Sequence, residues 1–119
     1  MVTEKIGQTV VDGNLRWYRS GVGKDGIVFE EDGVGMSPEY IRDYLIKKEG
    51  EWELIAGDPT NKSMVIRVMR SVMQLKMAEA SKLLKDLPGV IYSGTKVEVD
   101  WLKAKLLESD IVVEVRRLK

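Results

Sequence analysis

The 119-residue chain contains no cysteine and no histidine. Without cysteine there is no disulfide framework, no thiolate nucleophile and no cysteine-ligated metal. Without histidine the commonest general base and the commonest transition-metal ligand are missing as well. No apolar run approaches the roughly 20 residues that a membrane-spanning helix needs. The start lacks a basic region followed by an apolar stretch and a small-residue cleavage site, so a cytoplasmic protein with no membrane partner is expected. Net charge is absent too: 19 basic side chains balance 19 acidic ones, and residues 1–50 carry 7 basic and 9 acidic against 12 and 10 in 51–119. Binding to nucleic acid rests on neutralising many phosphates, and this balance counts against nucleic acid as a partner. What remains is globular in character, with 44% hydrophobic and 32% charged residues, and is long enough for one domain or a domain with an extension. Carboxylates are plentiful, but no spacing sets two of them together as an acid/base pair. The expectation is a noncatalytic protein with no cofactor and no metal site.

The most informative segment is Asn61 to Pro88, NKSMVIRVMRSVMQLKMAEASKLLKDLP. Projected at 100° per residue, Val65, Val68, Met69 and Val72 share one side, the spacing of a buried helix face. On the other side Lys62, Ile66, Arg70 and Met73 fall at i, i+4, i+8 and i+11, with Arg67 flanking. An isoleucine among cations on an outer face has the make-up of a docking anchor, an apolar centre in a charged surround. A singly exposed apolar residue is the plainer alternative.

Around this helix the pattern predicts β-α-α-β-α-β. Trp52, Leu54 and Ala56 alternate with Glu51, Glu53 and Ile55 as a strand, and Gly57-Asp58-Pro59-Thr60 breaks it. Helices follow over about Asn61 to Met73 and Met77 to Asp86, the second with Met77, Ala80, Leu83, Leu84 and Leu87 on one face and Pro88 ending it. Val90-Ile91-Tyr92 reads as a short strand, and Thr95 with Glu98 as a capping box opening a third helix. Ile111, Val113 and Val115 alternate as a last strand. The third helix has a core stripe, Val99, Leu102 and Leu106, and a second apolar stripe, Val97, Trp101 and Ala104. That second stripe is either covered by the first 50 residues or is an interface, with a partner or in a homo-oligomer.

Residues 51–119, with the run from Asn61 to Pro88 free of gaps, resemble the C-terminal domain of the bacterial ribosomal stalk protein, the large-subunit component that recruits translational GTPases. The resemblance is carried by Glu51-Trp52-Glu53-Leu54-Ile55, Asn61-Lys62, Val65-Ile66, the cations Arg67 and Arg70, Leu75, Glu79-Ala80, Leu83, Pro88, Gly94, Leu102-Lys103, Leu106, Glu108 and Val113-Glu114-Val115, with a one-residue deletion before Trp101. It implies an α/β (α+β) domain, three helices on one face of a small three-stranded antiparallel sheet. It also implies a partner surface made of Lys62, Ile66, Arg67, Arg70, Met77 and Glu79, to which the helical stripe adds Met73. The chain departs from the family where Gln74-Leu75-Lys76-Met77-Ala78 replaces a glycine-rich Gly-Leu-Gly-Leu-Lys loop, at Ser81 in place of a lysine, and at Asp110 in place of a glycine. Its neutral charge also contrasts with the acidic character usual in that family.

Residues 1–50 do not resemble the family's dimerisation segment or hinge. Thr9-Val10-Val11, Asp12-Gly13 and Leu15 to Tyr18 read as a hairpin, Gly21 to Gly26 as a mobile connector and Ile27-Val28-Phe29 as a third strand. Ser37, Pro38 and Gly50 bracket a helix with Ile41, Tyr44 and Leu45 on its apolar face. Three motifs are discounted: Asp32 to Glu39 resembles an ATPase box but lacks the domain that box requires, Gly21 to Asp25 lacks the spacing of a phosphate loop, and Arg16 to Arg19 fits an amphipathic strand better than a nucleic-acid clamp. The expectation is a β-rich extension with one helix over 1–50 and a stalk-like interaction domain over 51–119, docking a protein such as a translation factor. The alternative is a repurposed accessory, assembly or regulatory protein, for example virus- or mobile-element-encoded, that uses Trp101 or the extension as its interface.

Overall fold

Turn chemistry and alternation shape the first part of the chain. In the computed structural model, which describes residues 3–57 and 62–118, strands β1 (Thr3–Val11) and β2 (Asn14–Val22) form an antiparallel hairpin in register from Thr3↔Val22 to Val11↔Asn14. Asp12 and Gly13 both take positive φ, 51° and 78°, as a two-residue hairpin turn of this hand requires. Strand β3 (Val28–Val34) pairs antiparallel with β2, giving the order β1-β2-β3. The connector expected over Gly21 to Gly26 is shorter, because Gly21 and Val22 stay in the ladder opposite Phe29 and Val28. The turn itself is hydrogen-bonded, with Gly23 N donating to Ile27 O at 2.9 Å and Ile27 N to the Asp25 side chain at 3.0 Å. β3 runs well past the expected Ile27 to Phe29 and takes Asp32 and Gly33 into the sheet.

Trp17 and Tyr18 point to opposite faces of β2, and each lies over a glycine of a neighbouring strand, Trp17 over Gly33 and Tyr18 over Gly7. A Cβ at either glycine would collide with the ring. On the Trp17 side, Arg19 donates to Glu4 at 3.1 Å, lies 3.6 Å from Glu31 and stacks 4.6 Å from the Phe29 ring centroid. The hydrogen bond to Glu4 holds its pKa above the ordinary arginine value.

Helix α1 (Glu39–Glu49) follows Ser37, whose Oγ accepts a bond of 2.7 Å from Gln8 Nε2. Gly50 ends it at φ 99°, the left-handed position suited to glycine. Ile41 and Leu45 are buried, but Tyr44 is exposed, which narrows the expected apolar face. Tyr44 is satisfied at the surface, its hydroxyl accepting from Lys48 Nζ at 3.3 Å one turn on.

The chain divides into two compact units, 1–49 and 50–119. The second is a mixed α+β unit built on β4 (Trp52–Ala56), which pairs antiparallel with β5 (Gly89–Gly94) and β6 (Glu114–Arg117) in the order β5-β4-β6. Its helices are α2 (Lys62–Met73), α3 (Met77–Asp86) and α4 (Lys96–Leu107), so the element order is β-α-α-β-α-β as expected. Asn61 and the break at Asp58, Pro59 and Thr60 lie outside the described residues. α4 packs against all three strands and against α2, bringing Val99, Leu102 and Leu106 onto Leu54, Ala56, Val65 and Met69 in a fully buried core. Across the sheet Arg116 pairs with Glu53 in register, at 2.8 Å.

Two expectations for this unit need correction. The last strand begins at Glu114, not Ile111, because Ile111 N is tied back to Leu106 O at 3.0 Å in the helix terminus. On α3 the buried stripe is Ala80, Leu83 and Leu87, while Met77 and Leu84 are exposed. These two lie seven residues apart on a row rotated away from the stripe, so the helix buries a narrower face than its apolar residues suggest.

Candidate protein-docking site

The outward side of α2 is set by what its inward side must bury. Val65 and Met69 are fully buried, and Val68 and Val72 half-buried beside them. That fixes Ile66, Arg67 and Arg70 on the surface by helix geometry alone. Ile66 is half-buried and both arginines are exposed. The three line an open concavity of about 560 Å³, completed by Ser63, Ser71, Gln74 and Leu75. Among the described residues its lining contains two guanidinium groups and no carboxylate. Among the described residues neither arginine forms an ion pair, the one recorded contact being Arg70 Nη1 to Met77 Sδ at 4.0 Å. The surface therefore offers cationic donors around a small apolar floor, an arrangement suited to a partner's carboxylates and an apolar side chain.

The other candidate residues surround this concavity. Lys62 is exposed at the first turn of α2, outside the lining, and Met77 stands at the start of α3 with 62% of its surface free. Met73 and Glu79 line a second concavity of about 330 Å³ between α2, α3 and β5, with Met69, Leu75, Lys82, Leu83, Asp86, Ile91 and Tyr92. Glu79 also has a structural task, its Oε1 accepting from Lys76 N at 3.0 Å at the N-terminus of α3. The apolar stripe on α4 is split by its surroundings: Trp101 is 9% exposed, Val97 half-buried and Ala104 exposed.

Some of the lining escaped the sequence reading although its signal was present. Ser63, Ser71 and Gln74 join the already expected Arg67 at i, i+4, i+8 and i+11, a polar stripe beside the Ile66 stripe. Leu75 was legible only as part of a loop. The second concavity needs α3 and β5 to meet α2, which no local spacing reports.

That loop keeps the backbone form that glycine would favour. Gln74 has φ 55° and follows α2, and Leu75 N donates to Arg70 O at 3.2 Å, the long bond of a helix-ending left-handed turn. Lys76, at the second position where the resembled loop has glycine, is extended at φ −74° and needs none. Asp110 closes α4 in the same way as Gln74, at φ 60° with Asp110 N bonded to Leu107 O at 2.9 Å.

No family model matches the chain. Large ribosomal subunit protein bL12 from two strains of Chloroflexus aurantiacus is 33% identical over 73 residues in each case, 60% of this chain. The chain spans about half, 55%, of the length of these relatives. The similarity supports the resemblance to the stalk protein. No helix among the described residues is long and apolar enough to cross a membrane.

Proposed function

We propose that the second unit is a noncatalytic protein-docking module, and that its partner is a translation-associated factor seated on α2. The observation that carries this is the concavity that Ile66 shares with Arg67 and Arg70, which form no ion pair among the described residues, with no carboxylate among the described residues of its lining. The similarity to a ribosomal protein favours translation as the setting and a cytoplasmic location. Met73, Met77 and Glu79 extend the same surface toward α3, and Lys62 adds a cation at its far end. Gln74 gives the surface a long amide where the resembled loop has glycine, so the partner must leave room for it or hydrogen-bond to it.

Calorimetric titration of the full chain with purified translational GTPases tests the reading. Saturable binding that weakens on Ile66→Ala and Arg70→Glu is expected. Absence of saturable binding to every factor, or binding indifferent to both changes, would overturn it.

A further inference from the structure

The two concavities of the second unit share Leu75, the residue that follows the left-handed turn ending α2. We propose that they form one groove bent around Leu75, and that its occupant is a linear segment of the partner with an apolar centre, carboxylates at one end and a basic residue at the other. This rests on the docking role proposed above and adds the chemistry of the ligand.

The charge of the lining changes along the groove. Among the described residues the first half holds Arg67 and Arg70 and no acid, a net +2; the second holds Glu79 and Asp86 against Lys82, a net −1. Glu79 keeps its negative charge while its Oε1 is held at the N-terminus of α3, and Asp86, exposed at the end of that helix, presents the second carboxylate. Between the charged ends the floor is apolar, with Leu75, Met73, Leu83 and Ile91. Methionine is unbranched and polarisable, and adapts to differing apolar side chains. The first half alone runs from Ser63 to Gln74, about 16 Å at the rise of an α-helix, the length of roughly five extended residues. Both halves are open to solvent, which suits a segment laid across them better than a small molecule, whose sites enclose most of the ligand. With the first half net positive and the second net negative, a segment charged alike at both ends would meet net repulsion in one half.

Three synthetic peptides with one apolar centre test this against the 15N-labelled full chain: acidic at one end and basic at the other, acidic at both, and basic at both. The mixed peptide is expected to shift the amides of Arg70, Leu75, Met73 and Ile91 together, and to bind about fivefold more tightly than either symmetric one, the scale of exposed ion pairs. Asp86→Lys should transfer the preference to the doubly acidic peptide. Lysine at a helix C-terminus is favoured by the dipole, so this variant keeps α3. Shifts confined to residues 63–71, equal binding of all three peptides, or no shift near α2 with any of them would each overturn the groove. Loss of factor binding in Arg70→Glu would still report the docking role separately.

Discussion

Glu98 shows how much one side chain contributes to placing the elements. It is fully buried, and its Oε1 accepts from Thr95 N at 3.1 Å and from Tyr92 Oη at 2.9 Å, so a single carboxylate closes the cap of α4 and ties it to β5. Glu98→Ala removes both the capping bond from the buried Thr95 amide and the tie from Tyr92, and should cost about 2 kcal/mol in denaturant unfolding. Glu98→Gln keeps an acceptor oxygen in place and should cost less than half as much; equal losses would show that the hydrogen bonds to Oε1 are not what matters. The capping box was legible because it is written within four residues, Thr95 to Glu98. The bond from Tyr92 was not, since it depends on where β5 ends. At the candidate site the same scale separates binding from folding. Arg67→Glu and Arg70→Glu alter exposed side chains and should leave stability within about 0.5 kcal/mol, whereas half-buried Ile66 should cost about 1 kcal/mol on truncation to alanine.

Two helices end in the same way with unlike residues. α2 and α4 each close with a left-handed residue, Gln74 and Asp110, followed by an amide bonded back five residues, Leu75 to Arg70 and Ile111 to Leu106. A left-handed conformation costs an ordinary L-residue about 1–2 kcal/mol, against about 0.5–1 kcal/mol of extra chain entropy for glycine. Gln74→Gly should therefore stabilise the protein, by about 0.5–1 kcal/mol in thermal unfolding. Asp110→Gly should gain less, because aspartate tolerates this conformation; a larger gain at Asp110 would contradict the account. Helix faces were readable at this scale wherever burial follows 3.6-residue spacing, as on α2 and in the core stripe of α4. Element ends were not. The ladder carries β3 through Glu30, Glu31 and Asp32, which no propensity favours, and the helix terminus withholds Ile111 from the last strand.

Over the whole chain, the two units differ in the core they own. Residues 50–119 bury Leu54, Val65, Met69, Val99, Leu102 and Leu106 almost completely, while 1–49 offer chiefly Leu15, Ile41 and Leu45. A fragment of about 50 residues sits at the edge of what a single core sustains. The 50–119 fragment should unfold cooperatively when produced alone and the 1–49 fragment should not, as circular dichroism melts would show; a cooperative melt of the shorter piece would contradict this. The β-α-α-β-α-β order of the second unit was legible because hydrophobic period, turn residues and the family resemblance agreed there. The first unit lacked such agreement, and there the third strand is longer and the connector shorter than the local pattern indicates. The central claim is that α2 presents the docking surface, and charge reversal with a remote control tests it most directly. Calorimetric affinity for a bound translation factor should fall at least about tenfold in Arg67→Glu/Arg70→Glu and hold in Lys103→Glu, an exposed change on α4. Equal affinity in the double variant and the wild type, with both folded, would contradict the account.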